Sequence, residues 1–298
     1  MLERTQCRSG WRPRTLSRPF CCLAGLVMAG ALLPAARSAA AGDLADVKAR
    51  GKLVMLTYPV QGGFFDLVDV DRMREQGLSI KDLHKPEQFS GIDVDLVHGF
   101  ARSLGVELEI HVTAQGFGDL LPALVRRESD LVASELTITP KRQEIAAFSA
   151  PYVSNWVAIV ARKGSAIAMP ADLAGKKAAV LSGSSHVEFL KSVAPGVEIE
   201  PTGFDLESLE AVESGRVDFT LVDSVVPPGE TVDGLHPNLL VAFRLKEIRD
   251  GIAVRQGSDL LAPLDAYLAG LKKSGELKRI LDRHGFGKAA QKAAARSL

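Results

Sequence analysis

The sequence predicts an α/β protein with mainly parallel sheets, and three observations carry that expectation. Short apolar strand patterns alternate with segments of helical spacing from residue 91 onward. The segments that read as helices carry start and stop chemistry, such as Gly105 closing DVDLVHGFARSLG and Thr139-Pro140 opening the turn before Arg142. The 298 residues, 46% of them hydrophobic, suffice for the cores of two ordinary domains.

Taken in order, KLVMLTY (52–58) is expected as a first buried strand, followed by an irregular stretch over 59–90 rich in Gly, Asp and charge. DVDLVHGFARSLG places apolar residues three and four apart and reads as a helix, ELEIHVT alternates as a strand does, and FGDLLPALVRRE returns to helical spacing. DLVAS, WVAIVAR and KKAAVLS read as strands, SHVEFLKSV as a helix, VEIEPTG as a strand, DLESLEAVESGR as a helix and DFTLVD as a strand. LLVAFRLKEI and GIAVRQ are expected to run back, before two helices across residues 259–285 and a small basic tail at 288–298, expected to be flexible. The sequence contains no internal repeat, no metal-spaced His/Cys cluster and no phosphate loop, and no cofactor is expected.

The first 41 residues have the layout of a secretory leader. Arg4, Arg8, Arg12, Arg14 and Arg18 precede an apolar run over 20–33, and Ala39-Ala40-Ala41 offers a cleavage site. The run falls short of the roughly 20 residues a membrane span needs. Cleavage near Ala41 removes six of 36 basic and one of 36 acidic residues, leaving a formal charge of −5. A mildly acidic exported chain is a poor partner for nucleic acid or an anionic membrane. Cys7, Cys21 and Cys22 all leave with the leader, so neither disulfide nor thiol chemistry is expected of the mature, periplasmic protein.

The chemistry gathers at SELTITPKRQEIAAFSAPY (134–152). Thr139 supplies an N-cap hydroxyl and Pro140 the first helical position, while Arg142 in the first turn opposes the helix dipole. A bound anion would account for that arginine, with Thr137 adding a hydroxyl; so would pairing with a nearby carboxylate. A second helix start, SGSSHVEFL, brings Gly183 and an S-x-x-E capping box of Ser185 and Glu188. Asp223 ends an apolar strand, where open α/β sheets place ligands; it suits an ammonium group or the capping of the next turn.

Over residues 91–287 the run GIDVDLVHGFARSLGVELEIHVT, LLPALVRRESDLVASELTITPKR, FSAPY, DLAGKKAAVLSGSS, LEAVESGRVDFTLVD and GIAVRQGSDLLAPLDAYLAGLKKSGELKRIL resembles the periplasmic solute-binding proteins of the polar amino-acid type. SGSSHVEFL, VESGRVDFTLVDS and HPNLLVAF are similar to one branch, the binding-protein module of membrane-bound lytic murein transglycosylase F. The resemblance implies a two-lobed type II periplasmic-binding fold with its ligand cleft at the hinge. One lobe is expected over 43–153 plus 250–287 and the other over 154–249, with crossovers near 152–156 and 246–251. It further implies that Arg142 grips a ligand α-carboxylate, that Thr137, Ser184 and Ser185 add hydrogen bonds, and that Asp223 takes the α-ammonium. The expected partners are an amino acid or cell-wall peptide and a membrane ABC permease, served by a monomer.

Glu135 stands where the family usually has Ser or Gly. It favours a basic or amine-bearing ligand, unless it turns outward into an ion pair. Tyr58, Phe64 and Phe65 are candidates to stack on ligand. DLVDVDR lacks the glycine a calcium loop needs. His186 reads as an exposed helix residue and Trp156 as core. A binding protein rather than an enzyme is expected. The alternatives are a stand-alone sensor of murein fragments, since the chain ends at Leu298 with no room for a transglycosylase domain, and a periplasmic enzyme of the cyclohexadienyl dehydratase kind with Glu135 as general acid.

Overall fold

The computed structural model describes residues 43–286 apart from 60–62, 114, 227 and 234. The expected leader with its cysteines and the expected tail lie outside the described residues. Among the described residues no helix is long and apolar enough to cross a membrane.

Two five-stranded sheets and one small ribbon organise the chain. The strands are β1 (Lys52–Thr57), β2 (Asp66–Leu67), β3 (Phe89–Ser90), β4 (Glu107–Val112), β5 (Leu131–Val132), β6 (Ala146–Phe148), β7 (Val153–Arg162), β8 (Lys177–Leu181), β9 (Glu198–Thr202), β10 (Phe219–Ser224), β11 (Leu239–Asp250) and β12 (Ala253–Arg255). The first sheet runs β4-β1-β5-β12-β6 and the second β11-β7-β10-β8-β9, while β2 pairs with β3. Strands joined through helices lie parallel, as β1 does to β4 and β5, and β8 to β9 and β10. The returning strands β11 and β12 pair antiparallel with their neighbours, so both sheets are mixed.

The apolar run WVAIVA follows from burial on both faces of a sheet. Val157, Ile159 and Ala161 pack into one cluster with Leu190 and Phe219, while Ala158 and Val160 pack on the other face with Leu209 and Val241. In the first sheet, Leu53, Met55 and Ile110 meet Ile92, Leu96 and Phe100 of the helix Ile92–Leu104. That helix stops at Gly105 in the left-handed conformation, as expected (φ 74°). Its start has no side-chain cap; the carbonyls of Gly63 and Phe64 accept from the N–H groups of Ile92 (2.8 Å) and Asp93 (3.2 Å) instead. The irregular stretch is thereby pinned to the core, and within it lie the helix Val70–Glu75 and two short 3₁₀ turns.

β7 and β11 pair within the second sheet from Val153–Asp250 to Arg162–Leu239, and their Val153 and Asp250 ends lead into the first sheet through β6 and β12. Asp250 is fully buried at that junction. Its carbonyl accepts from Tyr152 N–H (3.1 Å), Ile138 N–H reaches Arg249 carbonyl (2.8 Å), and Gly251 N–H reaches Leu136 carbonyl (3.2 Å). The segment carrying Glu135, Thr137 and Arg142 is thus fastened to the crossing strands.

Candidate functional site

A cavity of about 860 Å³ lies between the ends of the two sheets, and Glu135, Thr137 and Arg142 enter it from the first. The helix that Thr139 caps is one turn long, Pro140–Gln143, with Thr139 Oγ1 accepting from Arg142 N–H at 3.2 Å. So short a helix has little dipole, and an anion here must rest on the guanidinium itself. Arg142 Nη1 donates to Thr137 carbonyl (2.9 Å), and the group lies 5.5 Å from the centroid of the Phe117 ring. Among the described residues no carboxylate forms an ion pair with Arg142. Burial lowers its pKa to about 10, so it stays charged at neutral pH.

Glu135 adopts positive φ (46°), a backbone state that costs a non-glycine residue roughly 1–2 kcal/mol. The strain is held by Asp93, fully buried in the first turn of Ile92–Leu104, which accepts from Glu135 N–H (2.8 Å) and Tyr152 hydroxyl (2.5 Å). Glu135 accepts from the Asn155 amide at 3.2 Å, so the carboxyl turns into the cavity rather than outward into an ion pair. Burial, then the charges of Asp223 and Asp250, raise its pKa well above the usual carboxylate range.

Ser184, Ser185, His186 and Asp223 enter from the second sheet. Ser184, not Ser185, holds the N-cap position of the helix Ser185–Val193, and its hydroxyl donates to Leu181 carbonyl (2.7 Å). The expected capping box is absent, because Glu188 pairs instead with Lys141. His186 is buried, contrary to the exposed position expected of it: its Nε2 lies 2.8 Å from Asp223 Oδ1. Burial works against its charge, but the charge and hydrogen bond of Asp223 together with the charge of Asp205 outweigh it, and the imidazole pKa is raised. Asp223 therefore meets a ligand with one oxygen already engaged.

Tyr58 is not among the residues lining this cavity. It stacks on Phe204 (centroids 5.5 Å apart), meets Phe117 edge-on, and donates its hydroxyl to Gly203 carbonyl. Its ring is consumed in joining residues of the two sheets. Phe64 does line the cavity. Trp156 is half-buried, with Arg244 over its ring at 5.4 Å. Sequence reasoning missed Asn155, Asp205 and the buried Asp93 and Asp250, none of which carries a local motif.

Gly183 (φ 78°) closes against Gly118: a Cβ on it would lie 2.4 Å from Gly118 Cα. Gly183→Ala is expected to hold these segments apart and weaken binding tenfold or more, with only a modest loss of thermal stability. Wild-type affinity by calorimetry would refute that.

The buried carboxylates predict a pH dependence. Burial raises Asp93 from 3.8 to about 6. Between those values the folded state holds a proton that the unfolded chain has released, so stability is greatest at low pH and falls as pH rises through the window. For Asp93 the loss is roughly 3 kcal/mol by neutral pH. The melting temperature of ligand-free protein should fall from pH 4.5 to 7, less steeply in Asp93→Asn; equal slopes would contradict the assignment.

The sequence profile of the bacterial extracellular solute-binding proteins, family 3, matches residues 79–288. Membrane-bound lytic murein transglycosylase F of Pseudomonas savastanoi pv. phaseolicola is 37% identical over 205 residues, 65% of this chain and 41% of that protein. Its counterpart in Idiomarina loihiensis is 37% identical over 219 residues, 70% of this chain and 47% of that protein. The chain spans less than half the length of these curated relatives. Among solved structures, a mutant of ArgBP from T. maritima superposes with a TM-score of 0.68 at 28% identity, covering 81% of this chain and 98% of that one. An ancestral amino acid-binding protein, a precursor of cyclohexadienyl dehydratase, gives 0.67 at 27%, with the same coverage.

Proposed function

Because the chain belongs to family 3 of the bacterial extracellular solute-binding proteins, we propose that its cavity captures an amino acid or amino-acid-like ligand for delivery to an ABC-type permease. The observation that carries this reading is the convergence, in one cavity, of an arginine that forms no ion pair with the described residues and two amine-seeking carboxylates, Glu135 and Asp223. Arg142 would take the α-carboxylate and Thr137, Ser184 and Ser185 its further hydrogen bonds. The carboxylates favour a ligand with a basic side chain, in keeping with the arginine-bound form known for ArgBP.

The groups come from both sheets, so binding favours the closed lobes through contacts the open state lacks. Shifting such an equilibrium from 1:99 to 99:1 takes roughly 5.5 kcal/mol, and two charge-assisted contacts of about 1.5–3 kcal/mol each are of that order. The protein is read as a monomer exported to the periplasm after cleavage near Ala41, binding without turnover.

The similarity to transglycosylase F supports a second reading, a sensor of murein peptide fragments. Calorimetric titration of the purified chain with the common L-amino acids and with murein peptides separates the two. Heat from a basic amino acid supports capture for transport, heat from peptides alone supports sensing, and silence from all of them rejects the head-group assignment.

A further inference from the structure

A second cavity of about 580 Å³ adjoins the first, and Asp66 and Asp205 line both. One of its walls is Phe65, Leu67 and Val70; the opposite wall is Phe204, Glu207 and Glu210 around the start of the helix Asp205–Glu213. The first wall precedes residue 79, where the match to the family begins.

Its geometry is fixed rather than incidental. Gly91 sits against the Phe64 carbonyl, β2 pairs with β3, and the Phe65 ring packs 4.8 Å from that of Phe89. Consecutive side chains are thereby divided: Phe64 lines the first cavity, Phe65 the second, and Asp66 both. The carboxyl of Asp205 accepts no hydrogen bond from the described residues, and burial raises its pKa to about 6. Asp205 is half-buried and the nearby His186 offsets only part of the cost of desolvating its carboxyl, a cost that a bound cation would further relieve. The first cavity alone is near the upper end of the roughly 300–1,000 Å³ that holds a drug-sized ligand, far more than a free amino acid fills.

We propose that the second cavity is a subsite for the far end of an elongated ligand, whose amino-acid head sits at Arg142 and whose chain passes Asp66 and Asp205 to place a further amine near Glu207 and Glu210. Phe65, Leu67 and Phe204 would cover the methylenes of that chain, and the stretch 59–90 thereby acquires a role in specificity. This rests on the head-group reading above.

The test uses two probes, free L-lysine and Nε-(L-lysyl)-L-lysine, which keeps the same head, replaces the ε-amine by an amide and carries two further amines on the added lysyl group, the farther at the end of its side chain. The wild-type chain should bind the longer probe at least tenfold more tightly. Val70→Trp, which fills the second cavity, and Glu210→Gln, which removes a charge from it, should reduce that advantage to threefold or less. Neither should move lysine affinity by more than about twofold. An absent advantage in wild type, or one that survives Val70→Trp, overturns the subsite while leaving the head-group site standing. If neither probe binds, both readings fall.

Discussion

Arg142→Ala is expected to weaken binding of a basic amino acid such as L-arginine by 10² to 10³-fold while leaving the fold nearly as stable as wild type. The guanidinium is the cationic group that this cavity presents to a carboxylate with donors to spare, since Nη1 alone has a protein acceptor among the described residues. Charge-assisted hydrogen bonds contribute about 1.5–3 kcal/mol each, and a bidentate pair makes two. Part of that is offset by hydration of the lost cation's site, which leaves the stated range. Stability should change little, because Arg142 is desolvated at some cost and the segment stays fixed by the Thr139 cap and the Ile138–Arg249 hydrogen bond. Calorimetry reads the affinity and thermal denaturation the fold. Affinity within a few-fold of wild type would show that the carboxylate is held elsewhere.

Gly91→Ala should be the most damaging small substitution in the structure. Its φ of 134° is a state that side-chain-bearing residues rarely adopt, and a Cβ would lie 2.2 Å from Phe64 oxygen and 2.5 Å from Phe64 carbon. Those are backbone atoms that cannot swing away. The Phe64 carbonyl is held by the hydrogen bond from Asp93 N–H and the adjacent Gly63 carbonyl by that from Ile92 N–H, so relief means breaking the cap of Ile92–Leu104. Backbone strain of about 1–3 kcal/mol together with a lost cap of about 1 kcal/mol gives a loss of about 2–4 kcal/mol, a large share of a typical 5–15 kcal/mol. Gly105→Ala is the control: it is left-handed too (φ 74°), but nothing lies within 4 Å of its Cβ position, and it should cost about 1–2 kcal/mol. Urea denaturation compares them. Equal losses would mean that the contact with Phe64 carries no energy. Because the same contact aims Phe64 and Phe65 into their cavities, Gly91→Ala should also impair binding by whatever protein remains folded.

The sequence by itself determined what short-range physics encodes. Periodicity placed the strands and helices of both sheets apart from the short edge strand β6, Gly105 and Thr139 marked helix ends, and the position of Asp223 at the end of β10 followed from its apolar run. Six of the anticipated ligand groups, Arg142, Thr137, Glu135, Ser184, Ser185 and Asp223, do line one cavity. A capped turn and a strand end are local features, which is why those residues stood out.

What the sequence could not decide depends on partners far along the chain. Whether His186 faces solvent is set by Asp223, 37 residues on, and whether Glu135 is strained inward is set by Asp93, 42 residues before it. Tyr58 looked available to a ligand until folding stacked it on Phe204. The burial that raises Asp93 toward 6 also comes from packing rather than from neighbours in sequence. Desolvation and charge coupling act through space, so only the tertiary structure fixed which of these polar groups face the cavity and which of them hold it in shape.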